Sequence, residues 1–283
     1  MATRQLLGLR VELTFHWGFW VRAPFTSRYQ ETLTIPPPTT LIGALAEPLI
    51  HFGLLNGVKG EVVKTDLGVS SAAAILDSAI PAVSFYFNEK QAGFTYEDTN
   101  KYITLHYHQL VPEKDEKTGT LLGKRRYLPQ YRMGALRVGK VSMPNGGGTA
   151  CYIIDLNEAR KLLVDNPEEC FLKAASNITR VGSKESIVSV SRAEILPNLN
   201  VLKPPLEVRT KCYFPYKLAE ASSEPREFYI EKFWRGGWSR KDKLIFEDYI
   251  IPGTRVPIST KPTNFKIVDG YVIMLRDEEV ICF

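Results

Sequence analysis

Residues 35–46 read Ile-Pro-Pro-Pro-Thr-Thr-Leu-Ile-Gly-Ala-Leu-Ala, and this run restricts what the chain can fold into more than any other. Each proline fixes φ and lacks an N–H, so the triple cannot lie in a helix interior or a central strand. Pro38 can open a helix, where the missing donor has no partner to lose. The apolar run behind it carries small residues at Gly43, Ala44 and Ala46, which allow close packing on a sheet. A helix from Pro38 to about Phe52 is expected, with Leu41, Leu45, Leu49 and Phe52 inward and Gly53 as its stop. Pro48 is expected to kink or break it.

The flanking segments alternate. In Leu6–Phe15, Leu9, Val11, Leu13 and Phe15 share one face, while Arg10, Glu12 and Thr14 take the other, which is the period of a half-buried strand. Pro81–Phe87 reads as a strand. Lys101–Val111 and Leu121–Tyr131 read as two strands around a polar tip, Pro112–Thr120, and so as a long hairpin arm. Asn145–Gly148 is expected to be a turn, Thr149–Leu156 a buried strand, and Asn157–Ser176 helical with Asn157 as cap and a break near Pro167. Ile187–Val190 closes the series as a strand. Without the arm the order is strand–helix–strand–strand–helix–strand, so an α+β, ferredoxin-like domain is expected over residues 1–196, with the arm inserted at about 88–145.

Pro197, Pro204 and Pro205 mark a change of texture. Residues 197–283 hold short β-like runs at Glu207–Tyr213, Phe228–Phe233, Lys243–Ile251, Arg255–Ile258, Phe265–Val268 and Tyr271–Leu275. Asp269-Gly270 signals a hairpin between the last two. A smaller β-rich C-terminal domain is expected there.

At 283 residues and 44% hydrophobic composition the chain can bury a sizeable core. The net charge of +5 is too small to identify a polyanionic partner, so clustering matters more. Cys151, Cys170, Cys212 and Cys282 are scattered, which argues against a structural zinc site or a disulfide scaffold. No leader and no apolar run near membrane-spanning length is evident, so a cytoplasmic location without membrane contact is expected. No Gly-x-Ser-x-Gly, His-Glu-x-x-His or paired-carboxylate signature appears, and neither a cofactor nor a metal is expected.

Three basic clusters stand out. Leu121–Lys140 holds Lys124, Arg125, Arg126, Arg132, Arg137 and Lys140 with Tyr127 and Tyr131 interleaved and no acidic residue. Cations neutralise phosphates and aromatic faces stack unpaired bases, a mixture that suits single-stranded RNA. The bland alternative is a solvated hairpin whose cations only limit edge-to-edge aggregation. The loop Gly18–Thr34 adds Arg22, Arg28 and Tyr29; its alternative is surface arginines packed on Phe19, Trp20 and Phe25. Arg180, Ser183, Lys184 and Arg192 form the third cluster, where Gly182 allows close backbone approach. It is no nucleotide P-loop, because the first glycine is missing and a strand follows. Trp234, Arg235 and Trp238 have the composition of a protein-interface anchor, or of a hairpin whose rings cover the core.

A first strand, a basic loop, the turn Pro36–Gly43 and, far downstream, Arg180-Val181-Gly182-Ser183-Lys184-Glu185-Ser186 occur in one order. In this the chain resembles the small RAMP-superfamily subunit of CRISPR surveillance complexes, the fifth-numbered Cas family. The resemblance covers roughly residues 5–195 and is greatest, on Gly-Ser-Lys-Glu-Ser, to archaeal type I-A members. It implies the ferredoxin-like (RRM-like, RAMP) fold and a non-catalytic role in capping the 5′ handle of the guide RNA (crRNA). It also carries Thr39 along with the basic clusters as an RNA-contacting position. The implied partners are the Cascade backbone subunit (Cas family seven) through the arm, the large subunit (Cas family eight) on the other side, and target DNA only indirectly. The alternative is a metal-independent endoribonuclease acting on repeat RNA, because some relatives cut; His16 with a nearby tyrosine, or His106 and His108 with Lys124, are its candidates. A pure protein-assembly module is a third class.

Overall fold

The computed structural model describes residues 5–23, 29–58, 60, 62–65, 68–88, 92–104, 110–114, 118, 121–127, 133–220, 228–235 and 245–282. Its organising element is strand β1 (Leu6–Phe15), whose alternation buries Leu9, Val11, Leu13 and Phe15 and leaves Arg10, Glu12 and Thr14 on the half-buried face. After the extended Pro37, helix α1 (Pro38–His51) starts on a proline and runs through Pro48, which is itself buried, without a break. Phe52 does not point inward as the spacing predicts. It is the C-cap, with φ −84° and ψ 0°, so the helical phase ends before it. Its ring lies 37% exposed under the Lys173 ammonium, 4.5 Å away.

The chain then gives strand β2 (Ala82–Phe87), strand β3 (Gly146–Asp155), helix α2 (Leu156–Leu162), helix α3 (Pro167–Ala175) and strand β4 (Val188–Leu196). The four strands form one sheet in the order β4-β1-β3-β2, and every neighbouring pair is antiparallel. Leu41 and Leu45 of α1 and Phe171 and Ala174 of α3 join the inward residues of β1 in one core. The Tyr152 hydroxyl donates to the Leu41 carbonyl at 3.0 Å and ties β3 to α1.

Two local expectations change at β3. Residues 146–148 are not a turn: Asn145 takes the left-handed position (φ 55°), and all three glycines lie in the strand. The reason is steric. Gly146 faces Phe15 across the sheet and Gly148 faces Phe87. A Cβ on Gly148 would stand 2.1 Å from the Phe85 ring. The glycines leave room for edge-to-face packing of Phe85 on Phe87 at 5.1 Å and of Phe15 on Phe85 at 6.1 Å. At the other end, Asp155 caps α2, not Asn157. Its carboxylate accepts from the Asn157 and Glu158 N–H groups at 2.9 and 3.4 Å. Asn166 caps α3, with Pro167 at its first position.

The arm is longer than the sequence suggests. Phe94–Thr104 and Met133–Ser142 pair antiparallel, and Leu110–Lys114 and Leu121–Tyr127 pair further out. Pro112 belongs to a strand and not to the tip. It lies opposite Arg125, and the register shifts beside it, where a donor is missing from the ladder. The segment Gly18–Thr34 is also not a plain loop. Gly18–Phe19 pairs antiparallel with Val141 and Ser142, and Tyr29–Gln30 pairs parallel with Arg137 and Val138, so both widen the arm's base.

Beyond residue 197, Asn200–Leu202, Tyr271–Leu275 and Glu278–Cys282 form one sheet. Leu206–Thr210 pairs with Thr263–Ile267, and Phe246–Arg255 pairs with Phe228–Trp234. Asp269-Gly270 is therefore not a hairpin turn, because the strands on its two sides pair elsewhere. The tight hairpin follows Leu275, where Arg276 adopts φ 58°. Tyr213, Phe233, Tyr249 and Ile251 belong to the same core as β1 and α1. Among the described residues no helix is long and apolar enough to cross a membrane.

A buried carboxylate joins this region to the proline turn. Glu231, 6% exposed, accepts from the Thr34 N–H at 3.2 Å and the Thr34 hydroxyl at 2.8 Å. Desolvation raises its pKa to about 7, against the pull of the Thr34 hydrogen bonds and of Arg255 at 3.9 Å; Glu31 adds to the rise. The group thus binds its proton more tightly folded than unfolded. Its stabilising contribution is full below its ordinary pKa and is lost as pH rises through about 7. In urea titrations at several pH values, Glu231→Gln should flatten this loss and be more stable than the parent above pH ~8 by roughly 2–3 kcal/mol. A parallel pH profile for both proteins would contradict the assignment.

Two glycine substitutions test the packing. Gly148→Ala should cost about 1–3 kcal/mol by overpacking Phe85. Gly43→Ala in α1, where an added Cβ meets nothing within 4 Å, should add about 0.5–1 kcal/mol. Denaturation midpoints moving in the same direction for both would refute the packing account.

Candidate nucleic-acid interface

Three segments distant in sequence meet at one end of the central sheet because of strand register. Phe15, the last residue of β1, lies opposite Gly146 at the start of β3 and opposite Val188 at the start of β4. The chain leaving β1 (Trp17–Val21), the arm strand returning to β3 and the glycine turn entering β4 therefore share one corner. A cleft of about 280 Å³ opens there, lined by Trp17, Trp20, Tyr96, Lys140, Ser183 and Ser186 among others.

The glycine turn is locked to the first segment by backbone bonds. Ser183 N–H donates to the Trp20 carbonyl at 3.0 Å, and the Ser186 hydroxyl accepts from the Trp20 N–H at 2.9 Å. Val181 N–H donates to the Ser186 carbonyl at 3.0 Å, which closes the turn. Gly182 has φ 107°, and a Cβ there would stand 2.6 Å from the Trp20 carbonyl oxygen. Glycine is required for both reasons.

The cleft's surface is aromatic. Trp17 is 68% exposed, and Phe94 and Tyr96 on the arm strand are also well exposed. The Trp20 indole N–H is buried and has no hydrogen-bond partner among the described residues. Charge is mixed. The Lys140 ammonium is bound to Asp98 at 2.7 Å, and this contact holds the Asp98 carboxyl below its usual range. A hydrogen bond from Ser183 holds Glu185 low as well. Lys184 is exposed. Such a corner offers rings for stacking and N–H and O–H donors, with less bare positive charge than the sequence implies.

The other sequence candidates are distributed as follows. Arg22 is exposed and forms a bridge with Thr32 near the same segment. Tyr29 lies opposite Arg137 in the parallel pairing, so the first loop and the arm are brought together. Lys124, Arg125, Arg126 and Tyr127 lie on the outer arm strand, with Arg126 opposite Val111. Arg180 sits at the turn's entry with its guanidinium 3.8 Å from Glu47. Arg192 is further along β4, opposite Glu12, and pairs with Glu194 at 3.5 Å. Thr39 is not at this corner. It lies at the start of α1 beside a different cavity, which Arg235 also lines. Arg235 pairs with Glu247 at 3.1 Å, and Trp234 is 40% exposed. Arg28, Tyr131, Arg132, Trp238, His106 and His108 lie outside the described residues. His16 Nε2 is 2.7 Å from the Ser189 hydroxyl. No group of three metal-ligating side chains occurs among the described residues.

Sequence reasoning missed Trp17 and Tyr96. The run Trp17-Gly18-Phe19-Trp20 directly after β1 was a usable signal; for Tyr96 there was none, because only the strand pairing places it. The lock itself is testable. Ser186→Ala leaves the Trp20 N–H without its acceptor and should cost about 1–3 kcal/mol, with a shift in tryptophan emission in the native state. Unchanged stability and emission would show the contact to be inert.

No family model matches the chain. Two proteins of Saccharolobus solfataricus are each 26% identical to it over 267 residues, covering 93% of this chain and 95% of the relative. They are described as CRISPR-associated protein Cas5 3 and CRISPR system aCascade subunit Cas5 1. A crystal structure of a CRISPR protein from Archaeoglobus fulgidus superposes with a TM-score of 0.56 at 16% identity, covering 98% of this chain and 99% of that one, and so speaks for the fold alone. The likeness first carried by the proline turn and the glycine motif thus extends over nearly the whole length, and the chain is a relative of the Cas5 subunits of archaeal Cascade.

Proposed function

We propose that this chain is a non-catalytic crRNA-binding subunit of a type I Cascade interference complex, of the I-A kind, that caps the 5′ handle of the guide RNA. In this reading the central sheet and its helices are the ferredoxin-like RAMP fold, with residues 197–283 as a β-rich C-terminal domain. The arm reaches the backbone subunit of Cas family seven, and the large subunit of Cas family eight lies on the other side. Target DNA is met only through the guide, which reads sequence by pairing while protein holds the backbone. The protein works in the cytoplasm. Its chemistry is binding and positioning, with no bond broken.

The observation that carries this reading is the convergence of Trp17, Trp20, Tyr96 and Ser183 at one corner, with the exposed Lys184 next to Ser183 in the turn. Exposed rings give stacking faces for unpaired bases, and the locked glycine turn carries the exposed Lys184 for phosphate oxygens. The aCascade name of one relative and its coverage support the same assignment.

Fluorescence-anisotropy titrations with single-stranded repeat RNA test it. Trp17→Ala and Tyr96→Ala should each weaken binding by about 1–3 kcal/mol. Lys184→Ala should lower the log–log salt slope by about 0.7. Binding that ignores all three variants would remove the corner from RNA contact. Repeat-RNA cleavage in EDTA that disappears in His16→Ala would overturn the non-catalytic part.

A further inference from the structure

The cleft between Trp17, Tyr96 and the glycine turn holds an acidic group that contact with phosphates does not explain. Among the described residues that line it, Glu185 brings the one carboxylate. Glu185 is exposed, and the hydrogen bond from the Ser183 hydroxyl holds its carboxyl below the usual range, so it is charged at neutral pH. A negative charge set beside a polyanion repels it. In a cleft that takes RNA, such a group is favourable only toward a part of the nucleotide that donates hydrogen bonds.

The carboxylate is also held in place. The Ser186 hydroxyl accepts from the Trp20 N–H at 2.9 Å and lies 3.2 Å from the Ser183 hydroxyl. Because Ser183 gives its one proton to Glu185, Ser186 gives its own to Ser183. A relay thus runs from the Trp20 backbone through both serines to Glu185 and couples the carboxylate to the ring-bearing segment. One bond from Ser183 leaves other acceptor sites open, since an ionised carboxylate has about four. The cation on the lining, Lys140, is taken up by Asp98 at 2.7 Å.

Nucleobases differ in what they offer such an acceptor. On the Watson–Crick edge, adenine and cytosine set a donor beside an acceptor, and uracil sets its N3–H between two carbonyl oxygens. Guanine sets N1–H beside the N2 amine, and these two adjacent donors match the two oxygens of a carboxylate as an arginine fork does. The cleft's volume of about 280 Å³ is at the lower edge of ligand pockets, which begin at roughly 300 Å³, and suits one base. From these observations we propose that the cleft selects one unpaired guanine, with Trp17 and Tyr96 as stacking faces and Glu185 accepting from N1–H and the N2 amine. The selectivity rests on this corner being an RNA site.

Fluorescence-anisotropy titrations of the intact protein with short oligouridines, each carrying one substituted nucleotide, test it. One guanosine should tighten binding about tenfold over uridine alone, as a bidentate contact implies. Inosine keeps the purine ring and N1–H but lacks the N2 amine, so it should lose most of the gain, and adenosine should lose it too. Glu185→Gln should bind the guanosine and uridine oligomers nearly alike, with an unfolding midpoint that shows it folded; the inosine comparison is made on the parent protein and needs no variant. No gain with guanosine, an equal gain with adenosine and inosine, or a gain that survives Glu185→Gln overturns the selectivity, while binding that still depends on Trp17 and Tyr96 keeps the corner an RNA site. Binding that ignores Trp17→Ala and Tyr96→Ala removes the corner from RNA contact and the selectivity with it.

Discussion

Strand β1 is hydrogen-bonded along both edges, and the rest of the molecule is arranged by that fact. Ten residues of it pair with β3 from Leu6 opposite Asp155 to Phe15 opposite Gly146. On the other edge it pairs with β4, with one bulge between Glu12 and Leu13. A strand held on both sides cannot slip without turning its buried leucines to the half-exposed face. Register therefore fixes which connections leave from the same end of the sheet. The aromatic corner exists because three such connections do.

The chain's large-scale plan was readable from its local patterns. β1 and the strand Tyr271–Leu275 fall where alternation puts them, and α1 begins on the proline the sequence nominates. The failures share a cause: they occur where a residue's role is set by a distant partner. Three consecutive glycines read as a turn until Phe15, Phe85 and Phe87 are placed beside them. Asp269-Gly270 reads as a hairpin because its flanks look like strands, but those strands find better partners at Leu206–Thr210 and Glu278–Cys282.

The candidate site shows the same division. Gly182, Ser183 and Lys184 could be picked out by type and spacing, and the structure gives them a shared anchor in the Trp20 backbone. What spacing could not reveal is neutralisation across strands. Lys140 counts toward an all-basic stretch in sequence, yet Asp98 on the facing strand holds it. Nor could it reveal that Thr39 and Arg235, nearly two hundred positions apart, line one cavity.

The two-sided pairing of β1 has a consequence for how the molecule is made. Both of its neighbours lie far along the chain: β3 begins at residue 146 and β4 at residue 188. On a ribosome, β1 emerges long before either neighbour and waits with both edges bare until β3 follows. Contacts of such long sequence separation close slowly, and unpaired apolar edges invite pairing with other chains in the interval. Proper assembly is then a race between late arrival of the chain's own strands and early capture by a stranger.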